Sequence, residues 1–333
     1  MAETIHVAEM ADRLSKELFG QFFWQKCGPT NQNWACNSPE THGVKTHPAD
    51  IVYFYDEPYQ QTRTYVHCDL KSYAKSSISS KGIASALGSL AKQIECAERS
   101  EEWQNLYALP TVDFRVVGLL FIYNHDVDFD PDFERKIQSI DIKKLNIAPS
   151  LKLYVLGPDD IYWINNVSND LRGLRGDGHI PSPSNCRFFF PQLIRKTNFR
   201  LHAAKAATLD MLSSPWIVLE YDRDDGGRGI VIYYRRPVRE PRELVYLIDY
   251  LRHFQLLLPD VTITIRVLAD NKTAFENFSK AKLIYIGDVI RPSPQRVAGG
   301  DVNIVDLINR IEMSSIQNVA RTFSLKELAS RDS

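Results

Sequence analysis

The stretch FRVVGLLFIYN, residues 114–124, constrains the fold more than any other. A strand with one face in water alternates apolar and polar residues, whereas this run is apolar at nearly every position. Such a strand is buried on both faces, which requires covering layers above and below its sheet. The strongly apolar part, Val116–Tyr123, is far too short to cross a bilayer as a helix. The neighbouring segments supply sheet and layers. IVYFYD (51–56) and TRTYVHCDLKS (62–72) read as two antiparallel strands, and LKLYVLG (151–157) as another strand. Helices are expected over 7–24, with Val7, Met10, Leu14, Leu18 and Phe22 on one stripe, and over 80–103, with Ile83, Leu87, Leu90 and Ile94 inward. Residues 130–140 and 159–174 complete the helical layers, and 26–48 reads as an irregular loop rich in Asn, Gly, Pro and Thr. The order predicts an α/β domain built on a mixed sheet.

Residues 173–186 carry three Gly and two Pro and read as a linker. Beyond them, PWIVLEYD and GIVIYYRR form a hairpin around RDDGGR, followed by a helix over 242–258, a strand over 261–268, a helix over 271–281 and a strand over 282–288. The expected division is 1–175, 176–212 as linker or transition region, and 213–333 as a second, smaller α/β domain with a partner-docking or sensing role. Lys plus Arg number 40 against 41 acids, and this balance argues against a chain that coats nucleic acid nonspecifically. Five cysteines and a start that is acidic and amphipathic predict a reducing, cytoplasmic setting with no membrane association.

Asp69 and Lys71 lie within the second strand pattern. Residues i and i+2 of a strand share a face, so the two charges are neighbours about 6 to 7 Å apart. An antiparallel hairpin would bring Asp50, just ahead of the first strand, close to both. Two carboxylates and an ammonium then converge at one sheet edge, a set suited to a divalent cation and a phosphodiester. Acid-x-Lys triplets occur four times, at 69, 134, 141 and 270, and only the first ends a strand pattern that follows another strand preceded by Asp. The same residues also fit a solvated strand face.

HPADIVYFYDEP…RTYVHCDLKSY resembles the core of PD-(D/E)xK nucleases, the restriction-endonuclease-like superfamily. The resemblance runs over about residues 8–157 and implies a mixed-sheet core flanked by helices. It implies a metal-dependent nuclease that uses Mg²⁺ or Mn²⁺. Asp50 and Asp69 would hold the metal, with Glu17 on the first helix as a third acid, and Lys71 would act on water or phosphate. It departs from the family pattern where Ala49 separates Pro48 from Asp50, and where Asp69 stands in place of the more frequent Glu. DNA is the favoured substrate by this resemblance, with RNA, tRNA included, as the other. An anti-phage defence role with a partner subunit, and oligomer formation, belong to the same implied context. The alternative is a catalytically inactive nuclease-like module for binding or assembly.

Lys75, just past the motif, and Arg195, Lys196 and Arg200, interleaved with phenylalanines, are candidate nucleic-acid contacts; solvated charge beside core Phe is the plainer reading. Lys92 and Gln93 read as a solvated helix face. Cys27, Cys36, His42 and His47 form C-x8-C-x5-H-x4-H. The histidine spacing suits zinc, the cysteine spacing does not, and a loop with two half-buried thiols is the expectation. The Asp-rich stretch 126–132 mimics an EF-hand start but has Pro131 where Gly is required, so Asp130 reads as a helix cap.

Overall fold

The computed structural model of the chain describes residues 13, 17–58, 62–109, 113–124, 133–145, 147–189, 191, 203–268, 273–290 and 303–316. They divide into two compact units. One runs to Ser168 and takes in Ala206–Leu209; the other comprises Asn169–Lys205 and the residues from Asp210 onward.

The first unit holds seven strands: β1 (Gln25–Cys27), β2 (Gln32–Ala35), β3 (Thr46–Ala49), β4 (Ile51–Asp56), β5 (Thr62–Tyr73), β6 (Asp113–Asn124) and β7 (Leu153–Leu156). Five of them form one sheet in the order β1-β4-β5-β6-β7, and β2 pairs β3 separately. β4 is antiparallel to β5, while β5, β6 and β7 are mutually parallel, so the sheet is mixed. The apolar run sits as expected: β6 is interior to the sheet, and Val116–Asn124 is buried throughout.

Four helices are described in this part of the chain before the boundary: α1 (Pro39–His42), α2 (Ser80–Ala97), α3 (Glu101–Tyr107) and α4 (Phe133–Gln138). α5 (Pro158–Gly176) follows β7 and spans the division between the units. Ile83, Leu87, Leu90 and Ile94 of α2 are buried in one cluster with Val116, Leu120 and Ile122 of β6. Close approach depends on Gly118, where an added Cβ would lie 2.6 Å from Leu153 Cδ2 and 3.0 Å from side-chain atoms of Leu90 and Ile94.

Two expectations in this unit change, and a third lies mostly outside the described residues. The helix read over 80–103 is two helices, because the Ser100 hydroxyl accepts from the Trp103 amide and starts α3 afresh. The loop read over 26–48 holds the β2–β3 hairpin and α1, tied at its base where the Cys36 amide donates to the Lys45 carbonyl at 2.9 Å. The helix over 7–24 falls mostly outside the described residues, which show a 3₁₀ turn at Phe19–Phe22.

The second unit is a six-stranded sheet of β8 (Cys186–Phe189), β9 (Ala203–Ala204), β10 (Trp216–Asp222), β11 (Arg228–Tyr234), β12 (Val261–Leu268) and β13 (Glu312–Ile316), in the order β13-β12-β11-β10-β8-β9. The β10–β11 hairpin forms as read, and β12 joins it in parallel. β8 lies inside the stretch read as linker and pairs β10, with Phe188 and Phe189 buried. Helices α7 (Pro241–His253), α8 (Ala274–Tyr285) and α9 (Ile304–Asn309) pack into the same apolar core, while α6 (Leu209–Leu212) is a short turn before β10. The strand read over 282–288 is instead the end of α8 and a π turn, Ile286–Ile290. Ala274, Phe278, Ala281 and Tyr285 recur at helical spacing and are all buried, so the longer period prevails over the local β-formers. Among the described residues, no helix is long and apolar enough to cross a membrane.

Candidate active site

The β4–β5 ladder begins with Ile51 opposite Cys68. One step further along the same register sets Asp50 opposite Asp69. There β4 stops, but β5 continues to Tyr73, paired only with β6 on its other side. The edge of β5 beyond this point lacks the β4 ladder, and the Asp50 side chain takes part of its place: Asp50 Oδ2 accepts from the Leu70 amide at 2.7 Å. That bond fixes the carboxylate against the motif strand.

Asp69 is 6% exposed. Lys71, two residues on and on the same face, places Nζ 2.6 Å from Asp69 Oδ1. The lysine side chain is 34% exposed against 7% for the aspartate, so the ammonium reaches the buried carboxylate from the solvent side. Burial pushes the Asp50 carboxyl up to about 6, and the negative charge of Asp69 adds to the rise; the Leu70 amide and the Lys71 ammonium pull the other way. Burial opposes charge on Lys71, but the adjacent Asp69 outweighs it and holds the ammonium above its ordinary range.

The Asp69 carboxylate stands close enough to Asp50 to raise the pKa of its carboxyl. Two carboxylates brought this close favour sharing a proton, or a cation in its stead. Leu70 occupies one oxygen of Asp50 and Lys71 one oxygen of Asp69, so each carboxylate keeps a second oxygen for such a cation. Hard divalent ions such as Mg²⁺ are held by one or two carboxylates together with substrate oxygens, and these residues fit that requirement.

Glu17 is partly buried, and its carbonyl accepts from Ser168 Oγ at 2.5 Å. Its carboxylate does not join Asp50 and Asp69 in a three-acid cluster. Lys75 opens the turn Lys75–Ser77 directly after β5. Arg195, Lys196 and Arg200 lie outside the described residues, as does the Asp-rich stretch 126–132.

A supporting network was not read from the sequence. His67 shares the face of β5 with Asp69 and Lys71 and is fully buried. Its Nε2 lies 3.0 Å from Gln93 Oε1 and 3.2 Å from the Pro48 carbonyl, while the Trp103 indole donates to Nδ1 at 3.2 Å. Since Nδ1 accepts, Nε2 carries the proton, and burial lowers the pKa and keeps the ring neutral. The network joins β5 to α2 and to Pro48, two residues before Asp50. Gln93 is therefore neither solvated nor at the carboxylates, and Lys92 donates to the His42 carbonyl at 2.9 Å. The alternation from Asp69 back to His67 is the signal that would have found it.

Residues 1–160 match the family described as GAPS4 protein PD-(D/E)XK nuclease domain. No curated protein matches the chain. The matched segment contains the mixed sheet, Asp50, Asp69 and Lys71, and the N-terminal part of the chain is a domain of the PD-(D/E)XK nuclease superfamily.

Proposed function

We propose that this domain hydrolyses phosphodiester bonds of nucleic acid in a metal-dependent reaction, with Asp50 and Asp69 as the carboxylates that hold Mg²⁺ or Mn²⁺. The reading rests on one observation: two carboxylates and a lysine ammonium from adjacent strands meet at the point where the β4 ladder ends. A metal ion held by these carboxylates would supply charge neutralisation at the scissile phosphate and would lower the pKa of the attacking water. Lys71 Nζ stands beside Asp69 on the solvent side, where it can donate to that water or to a phosphate oxygen. Glu17 would assist through an intervening water. Lys75, two residues past β5, would contact the backbone of a substrate strand.

DNA is the favoured substrate, in keeping with the resemblance to restriction-endonuclease-like enzymes. A near-neutral chain has no strong nonspecific attraction for nucleic acid, which favours a partner subunit that brings the target, as in an anti-phage defence system. The second unit is the candidate docking or sensing region. The test is cleavage of linear DNA, plasmid and total RNA by wild type and Lys71→Ala, with Mg²⁺, with Mn²⁺ and with chelator, with and without a candidate partner protein. Metal-dependent cleavage reduced at least about 100-fold in Lys71→Ala supports the reading. Absence of cleavage by wild type under every condition rejects it in favour of an assembly module, and undiminished cleavage by Lys71→Ala rejects the site.

A further inference from the structure

Away from the carboxylates, the first unit gathers a second set of polar side chains. Cys36, His42, His47 and Cys96 are all buried, and one potential ligand atom from each lies within 4.8 Å of all the others. Four separate places along the chain supply them. Cys36 directly follows β2, His42 ends α1, His47 lies in β3, and Cys96 comes from the last turn of α2. Gly43, at φ +69°, turns the chain between the two histidines so that both face inward.

We propose that these four residues form a structural Zn²⁺ site with ligand atoms Cys36 Sγ, His42 Nδ1, His47 Nε2 and Cys96 Sγ. The spacing carries the proposal. Tetrahedral zinc, with bonds of about 2.3 Å to sulfur and about 2.05 Å to nitrogen, sets its ligands about 3.8 Å apart for two sulfurs, about 3.6 Å for sulfur and nitrogen, and about 3.3 Å for two nitrogens. Here the two sulfurs are 3.8 Å apart, and His42 Nδ1 lies 3.3 Å from Cys36 Sγ and 3.4 Å from Cys96 Sγ. His42 Nδ1 and His47 Nε2 are 3.4 Å apart.

Hydrogen bonding alone does not account for this. His42 Nδ1 has either one proton or one lone pair in the ring plane, yet three potential ligand atoms crowd it. A disulfide does not account for it either, because it would need the sulfurs at about 2.05 Å and would leave both imidazoles unexplained. Zinc satisfies all four groups. Binding displaces the two thiol protons, and two thiolates balance the divalent charge, so the buried site is neutral.

The surroundings match a metal centre in two further respects. The Ser38 amide donates to Cys36 Sγ at 3.4 Å, which suits a thiolate. His42 turns its other nitrogen, Nε2, toward Glu95 Oε2 at 3.5 Å, the carboxylate–histidine relay that orients metal-bound imidazoles. Four protein ligands leave no open position, so the role is structural. The ion would pin the β2–β3 hairpin to the end of α2, and His47 lies three residues ahead of Asp50.

The test uses the full chain, purified without an affinity-tag metal carrier, under reducing conditions. Elemental analysis should find one zinc per chain, retained through gel filtration. Cys96→Ser and His47→Ala should each lower it at least tenfold and depress the melting temperature by about 10 °C. Cys27→Ser should keep full zinc, because Cys27 Sγ instead approaches the Val52 carbonyl at 3.5 Å. Cobalt exchanged into wild type should show the visible bands of a tetrahedral two-sulfur, two-nitrogen site, and this decides the matter should Cys96→Ser not fold. Zinc-free wild type that takes up no cobalt overturns the proposal. So does loss of zinc in Cys27→Ser, or a Cys36–Cys96 disulfide in the reduced preparation.

Discussion

Asp50 shows how a catalytic arrangement and stability oppose each other at a single side chain. Its carboxyl is pushed up to about 6 by burial and by Asp69, against an ordinary unfolded value near 4. The folded, metal-free protein therefore holds the proton up to about pH 6, well above the unfolded chain. Its stabilising contribution is complete below the unfolded pKa and is lost as pH rises through about 6. Asp50→Asn keeps an acceptor for the Leu70 amide without the charge. In chelator at pH 7.5 it should exceed wild type by about 1–2 kcal/mol, or some 3–6 °C in melting temperature, and the gap should close toward pH 4. Equal melting temperatures across that range would show that Asp50 carries no such penalty. Asp50, Asp69 and Lys71 were legible in the sequence because strand alternation and a hairpin suffice to bring them together. Their partners were less so. Gln93 sits on a helix whose pattern reads as solvated at that position, yet it meets His67 from the sheet. Of the four residues proposed to bind zinc, Cys36, His42 and His47 are close in sequence and were visible, but the fourth, Cys96, comes from a helix far along the chain.

Elements follow from periodicity where a segment has one dominant neighbour, and depart from it where capping or a longer period decides. β4 and β6 sit where alternation and apolar content put them. The break between α2 and α3 was hidden by good helix formers on both sides. Ser100 decides it by capping α3, and it is itself buried. Ser100→Ala should cost about 1 kcal/mol, measured by chemical denaturation, because the Trp103 amide loses its acceptor. No change in midpoint would mean that packing of Trp103 alone sets the break. The segment 282–288 was misread for the opposite reason. Leu283, Ile284, Tyr285 and Ile286 form a compact β-prone run, but burial falls at helical intervals continuing from Phe278.

At the scale of the whole molecule, two units carry separate cores, and the nuclease family match covers residues 1–160 alone. The second unit has its own buried charge centre. Asp170 accepts from the Tyr233 hydroxyl at 2.9 Å and from Arg266 Nε at 3.0 Å, with a further bond from the other end of the guanidinium. Arg266→Leu would leave Asp170 buried without its counter-charge, and should destabilise this unit by about 3–5 kcal/mol, seen as faster amide exchange in β11 and β12. Unchanged exchange would indicate that water reaches Asp170. That centre was not legible from the sequence, because Asp170 lies on a helix that reads as part of the first domain.

The most direct test of the carboxylate centre is Mn²⁺ titration calorimetry on wild type, Asp69→Asn and Lys71→Ala, paired with cleavage by the same preparations. Mn²⁺ should bind wild type and Lys71→Ala, lose at least about tenfold in affinity with Asp69→Asn, and support cleavage by wild type alone. Undiminished Mn²⁺ binding by Asp69→Asn would contradict the assignment of Asp50 and Asp69 as the metal-holding pair.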